Sequence, residues 1–219
     1  MTSKIKAVVF DSDGTLMDSG ATIFGAYAYV AQKFGYPAPS DAEITAQLAQ
    51  SYPLYQILQT FFPDEPIDEL LKANGEYFSS QFTKTPTFTG ARELLEELKN
   101  RDLRLAIVTG GNDKVIDLFK HHKLEHYFSS MVYCDRVARS KPNPEGFLLA
   151  AEECAAQPNE IIMVGDSPND IFAGKNAGAA YTIAITHGHA SREVLTATNP
   201  DYIVDSLQEL RVLFAQLVD

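Results

Sequence analysis

At 219 residues the chain is long for one small core and short for two independent domains, so one core carrying an inserted subdomain is expected. A net charge of −11 repels a polyphosphate backbone and an anionic membrane surface, which excludes nucleic acid and membrane as natural partners. An apolar content of 45% against 21% charged residues excludes a disordered chain.

In chain order, the first strand is expected at "IKAVVF" (5–10). Roughly 80 residues without a strand follow, carrying helical patterns at 21–34, 41–50, 53–62 and 67–83, broken by "GYPAPSD" and "FPDEP". A crossover needs only about a dozen residues, so this stretch reads as an inserted helical subdomain. Beyond it, apolar runs at 103–109, 131–134, 160–166 and 179–185 alternate with helical patterns at 90–101, 113–123, 144–154, 168–178 and 206–218. The runs are rich in Val and Ile and lack two-residue alternation, as in strands covered on both faces. The expectation is an α/β fold: a Rossmann-like, doubly wound parallel sheet over 1–16 and 87–219, with a helical domain inserted at 17–86. No stretch approaches the ~20 apolar residues of a membrane span, and "MTSKIK" leads into a run too short for a signal peptide. Cys134 and Cys154 have no metal-ligand spacing and read as reduced core thiols, which points to a cytoplasmic protein.

In open parallel sheets, ligands bind beyond the carboxyl ends of the strands. The first strand ends in "FDSDGTLMDS", with Asp11 and Asp13; the second in Thr109, Gly110 and Gly111; the third leads to Lys141 in "SKPNPE"; the fourth ends in Asp166, Ser167 and Asp170 of "GDSPND". Carboxylates, a hydroxyl beside a glycine pair and an ammonium on one rim match the needs of phosphoryl transfer. An anionic phosphate and a carboxylate nucleophile repel each other unless a cation screens both, and Mg²⁺ takes hard oxygen ligands such as Asp11 and Asp166. The Thr109 hydroxyl and nearby amides, Gly110 among them, suit the phosphoryl oxygens, and Lys141 neutralises remaining charge. Asp13 can protonate a leaving oxygen and then deprotonate water.

Each piece has a plainer explanation. "DSDGTLMDS" resembles a calcium loop, but its Gly is fourth and its twelfth residue is Thr22. Asn112 or Asp113 would serve as an ordinary helix N-cap, and "SPND" is a capping box with Ser167 as N-cap and Asp170 reaching back. Asp166, outside that helix, stays unexplained by capping. The joint, ordered occurrence at consecutive strand ends is what these explanations do not produce.

"DSDGTLMDS", "IVTGG", "SKPNPE" and "VGDSPNDIFAGKNAG" resemble the four motifs of the haloacid dehalogenase superfamily phosphatases. The resemblance implies Asp11 as nucleophile forming an aspartyl-phosphate and Asp13 as acid and base. It implies Thr109, Gly110 and Lys141 as phosphoryl ligands, and a Mg²⁺ site of Asp11, Asp166 and the Asp13 main-chain carbonyl. Ser167 and Asp170 would be auxiliary. The insertion resembles the family's helical cap, and the segment from His187 to Leu210 resembles the tail of phosphoglycolate-phosphatase-like members. Dehalogenases of the superfamily lack the second aspartate, so Asp13 disfavours dehalogenation.

The expected activity is therefore Mg²⁺-dependent hydrolysis of a small phosphorylated metabolite by a cytoplasmic monomer or homodimer. A phosphomutase of the β-phosphoglucomutase type and a catalytically silent binding module are the alternatives. The insertion holds no arginine and only Lys33, Lys72 and Lys84, and the region "AQSYPLYQIL" (49–58) lacks the Gly expected of a specificity loop. Of its aromatics, Tyr52 and Tyr55 are candidates to face substrate. His187 and His189 read as solvated or structural, His121 and His122 as closing a helix, and Asp18 and Ser19 as capping the first inserted helix.

Overall fold

The computed structural model describes residues 4–48 and 52–218. The chain forms two compact units, one of residues 1–18 and 87–219 and one of residues 19–86. In the larger unit, β1 (Ala7–Phe10) lies between β2 (Arg104–Val108) and β4 (Ile161–Gly165), all parallel, with Val9 opposite Ala106 and Met163. Every residue of β1 is buried, which explains its unbroken apolar run. Outside β2 lies β3 (Phe128–Val132); outside β4 lie β5 (Tyr181–Ile185) and β6 (Tyr202–Val204), giving the order β3-β2-β1-β4-β5-β6. The chain thus winds outward from β1 in one direction, returns, and winds outward in the other from β4. The reversal falls between β1 and β4, where the crevice of such a sheet opens.

The second unit holds α1 (Gly20–Phe34), α2 (Asp41–Leu48), α3 (Leu54–Phe61) and α4 (Ile67–Gln81). Tyr27, Val30, Ile57, Phe62 and Leu70 form its core, and Lys33 pairs with Glu76 across α1 and α4 at 2.7 Å. Tyr52 and Tyr55 are exposed. Positions 49 and 50 of the expected second helix, and 49–51 of the glycine-free region, lie outside the described residues. Ser19 occupies the N-cap position of α1, but its hydroxyl makes no capping bond, against expectation.

Helices α5 (Ala91–Asn100), α6 (Lys114–His121), α7 (Glu145–Glu153), α8 (Pro168–Ala177), α9 (Arg192–Ala197) and α10 (Leu207–Leu217) complete the larger unit. Phe147 of α7 packs fully buried with Val9, Ala106 and Met163 on one face of the sheet, and Ile171, Ala184 and Leu195 cluster separately. Truncating a buried Phe such as Phe147 to Ala costs about 3–5 kcal/mol.

Three expectations are corrected. β3 lies at 128–132 rather than 131–134, because Phe128 to Val132 pair with β2 and the Ser130 hydroxyl is held by Glu153 at 2.6 Å. α9 and β6 were not foreseen in the tail; β6 is three residues long and exists through its pairing with β5. Cys154 is buried as expected, whereas Cys134 is half-buried in the turn after β3. Among the described residues no helix is long and apolar enough to cross a membrane.

Candidate active site

The chain leaving β1 turns back at once. The Ser12 carbonyl accepts from the amides of Leu16 and Met17 at 3.0 and 2.9 Å, and the Gly14 amide donates to the Met17 carbonyl at 2.8 Å. Gly14 takes a left-handed φ of 78°, which a side chain disfavours. The turn leaves Asp11 buried at the strand end, with its amide donating to Val164 of β4 at 2.9 Å, and Asp13 half-buried.

Lys141 joins the strand ends. Its Nζ donates to Asp11 Oδ1 at 2.5 Å, to Asp170 Oδ1 at 2.6 Å and to the Val108 carbonyl at the end of β2 at 2.8 Å. Asp170, with no exposed surface, uses its other oxygen to accept from the Ser167 amide at 3.0 Å and hydroxyl at 2.6 Å, at the start of α8. One carboxylate therefore fixes both the helix start and the ammonium. Asp166 is buried at the end of β4; its Oδ2 meets the His189 amide at 2.7 Å and ring Nδ1 at 2.9 Å, and its Oδ1 lies 3.5 Å from the Thr15 hydroxyl. Thr109 is buried after β2, its hydroxyl accepting from the Gly111 amide at 3.0 Å, with Gly110 exposed beside it.

The electrostatics follow from two carboxylates, Asp11 and Asp170, on one ammonium, with Asp166 and Asp13 close enough to act on Asp11. Burial drives the Asp11 carboxyl well above the ordinary range; Lys141 opposes this, and Asp170, Asp166 and Asp13 add to it. Burial pulls the Lys141 ammonium down, but the charges of Asp11 and Asp170 and their hydrogen bonds outweigh it and hold it above its usual range. Burial likewise lowers His189, yet the hydrogen bond and charge of Asp166, with Asp13 and Asp11, raise it overall. A site this crowded with negative charge favours binding of a cation.

Residues 8–184 match the sequence model of the haloacid dehalogenase-like hydrolases. The chain belongs to this family. Similar family members include the phosphoglycolate phosphatase of Vibrio parahaemolyticus, 32% identical over 216 residues and 94% of each chain. The pyrophosphatase PpaX of Bacillus mycoides is 27% identical over 216 residues, covering 98% of this chain and 99% of that one. A solved haloacid dehalogenase-like hydrolase from Streptococcus pneumoniae superposes with a TM-score of 0.85 at 26% identity, over 96% of this chain and 98% of that one. The β-phosphoglucomutase of Clostridium difficile shares the fold at 19% identity, with a TM-score of 0.81 over 97% and 96% of the two chains.

Within this family fold, Asp11, Lys141, Asp166 and Asp170 come together at the strand ends, with Asp13 near enough to shift Asp11 and Thr109 at the neighbouring strand end. One oxygen each of Asp11, Asp166 and Asp170 lies within 4.8 Å of the others, all three residues buried. This all-oxygen, anionic donor set suits a hard divalent cation such as Mg²⁺. Sequence reasoning set His189 aside, yet it makes two contacts to Asp166. His187, two residues earlier, stacks on Phe88 with ring centroids 3.7 Å apart and places Nε2 3.1 Å from the Thr15 carbonyl. No periodicity or spacing in "HGHAS" marks the difference between them.

Proposed function

We propose that the chain is a Mg²⁺-dependent phosphatase that cleaves a small phosphorylated metabolite through an aspartyl-phosphate on Asp11. The observation that carries this is the gathering of buried Asp11, Asp166 and Asp170 beyond the carboxyl ends of β1 and β4, with Asp11 and Asp170 sharing the Lys141 ammonium. Asp11, Asp166 and the Asp13 carbonyl, with Asp170 beside them, would hold Mg²⁺, which when bound screens the charge between phosphate and carboxylate.

A free Asp11 carboxylate oxygen attacks phosphorus, an acyl-phosphate bond forms, and the bond to the leaving oxygen breaks. Asp13 delivers a proton to that oxygen, so the product leaves as a neutral alcohol. Asp13, now a carboxylate, takes a proton from water; the hydroxide oxygen bonds phosphorus, releasing phosphate and restoring Asp11. Lys141 holds the attacking carboxylate in place throughout and offsets charge on the phosphoryl group, while Thr109 and the Gly110 amide receive its oxygens.

The relatives' names make 2-phosphoglycolate the first substrate to test and pyrophosphate the second. The experiment is a panel of phosphorylated metabolites assayed for phosphate release with Mg²⁺, after EDTA, and after Mg²⁺ is restored. Release that stops with chelator and returns with Mg²⁺ supports the reading; chelator-insensitive turnover overturns it.

A further inference from the structure

Both histidines of the loop after β5 make contacts among the strand-end loops, His187 with the loop after β1 and His189 with Asp166 at the end of β4. His187 anchors the loop through Phe88 and the Thr15 carbonyl. His189 instead addresses a single oxygen, Asp166 Oδ2, with its amide at 2.7 Å and its ring at 2.9 Å. A carboxylate only accepts hydrogen bonds, so the Asp166 contact places the ring proton on Nδ1. This leaves Asp166 Oδ1, with the Thr15 hydroxyl 3.5 Å away, as the oxygen that the histidine does not occupy.

The approach is built by two glycines. A Cβ on Gly188 would lie 2.2 Å from Asp166 Oδ2 and 2.4 Å from the Gly14 carbonyl oxygen; one on Gly14 would lie 2.1 Å from Asp166 Oδ2 and 2.4 Å from His189 Nδ1. Side chains at either position would drive the loops apart and break the pair of contacts. The sequence Gly188-His189 therefore brings a backbone donor and a ring donor to one carboxylate oxygen.

We infer that His189 is a positioning residue that fixes the rotation of the Asp166 carboxylate and so presents Oδ1 to the divalent cation. The inference rests on the proposed role of Asp166 at the metal. Hydrogen bonds that orient a metal ligand in this way typically change metal affinity by about 10–100-fold when removed. The amide contact survives any side-chain substitution, so the ring's contribution can be separated.

The test measures Mn²⁺ and Mg²⁺ binding to the metal-free protein by calorimetry, alongside the metal concentration that half-saturates turnover. In His189→Asn the side-chain amide occupies the place of Nδ1; in His189→Gln it occupies that of Nε2. His189→Ala and His189→Gln are expected to bind Mn²⁺ about 10–100-fold more weakly than the parent, and His189→Asn to recover most of the loss. Should His189→Ala not fold, the contrast between Asn and Gln carries the test. Equal affinity for the parent, Gln and Ala proteins overturns the positioning role while leaving the metal site standing. An Asp166→Asn protein that binds metal as tightly as the parent removes the metal reading itself, and the inference with it.

Discussion

Replacing Lys141 by methionine keeps most of the apolar stem and removes the ammonium that Asp11 and Asp170 share. Breaking a buried ion pair from one side costs about 3–5 kcal/mol, because the remaining charge stays buried without its partner. Here one ammonium serves two carboxylates and the Val108 carbonyl, with a side chain 10% exposed, so the upper part of that range applies, about 4–5 kcal/mol. At a urea dependence of about 2 kcal/mol per M, the unfolding midpoint of the metal-free Lys141→Met protein should fall by about 2 M at neutral pH. The sign of the pH dependence is fixed by Asp11. Burial already raises its carboxyl and Lys141 is what lowers it, so in the variant it rises further. The deficit is complete while the carboxylates are ionised and shrinks as pH falls through the raised value and Asp11 takes up a proton. The assay is equilibrium urea unfolding by circular dichroism at neutral and mildly acidic pH, with chelator present. A midpoint within about 0.3 M of the parent at neutral pH, or an equal deficit at both pH values, would refute the argument.

Asp11→Asn should abolish phosphate release while the circular dichroism spectrum stays native, since the amide fits the same site; turnover comparable with the parent removes Asp11 as nucleophile. With hexose 1-phosphates and Mg²⁺, with or without a bisphosphate activator, inorganic phosphate should accumulate and hexose 6-phosphate should not. The insertion offers no arginine and three lysines, and Lys33 is tied to Glu76, which leaves few charged groups to hold a sugar phosphate for transfer; 6-phosphate formed without phosphate release would refute this. Burial pushes the Cys154 thiol up to about 11, so at pH 8 only about one in a thousand is thiolate. A thiol reagent should label it slowly in native protein and rapidly in urea; fast native labelling would show that the site is open.

The fold was legible wherever a strand is covered on both faces. β1, β2, β4 and β5 announce themselves as apolar runs because each has neighbours on both sides in the sheet. The two edges were harder to read. Ser129 and Ser130 hid the first part of β3, which was legible only from 131, and β6, though apolar, is three residues long, too short to stand apart from a loop. The strand-end side chains could be located because a parallel sheet delivers its carboxyl termini to one rim, so strand ends alone place Asp11 and Asp166 near each other, while Lys141 reaches them from the loop beyond β3. The role of His189 was not legible. Its contact depends on two glycines more than 170 residues apart, Gly14 and Gly188, allowing one loop to press against another. Ser19 shows the opposite failure, a residue of the right type at an N-cap whose hydroxyl makes no cap.

The flanks of the insertion are paired on the larger unit itself. Met17 bridges antiparallel to Thr87, and the Phe88 amide donates to the Leu16 carbonyl at 2.9 Å. The chain therefore leaves and rejoins the sheet through a single gateway, already closed by hydrogen bonds before residue 19 and after residue 86. Seen from the core, everything between is a cassette. Excised and replaced by a tight turn, it would leave β1, α5 and β2 as an ordinary right-handed crossover, with the Asp11 strand end untouched. Cassettes of other lengths and compositions can enter at the same gateway without disturbing the register of β1 against β2, so the inserted unit of such a chain is free to change while the strand ends that carry Asp11 and Asp166 stand still.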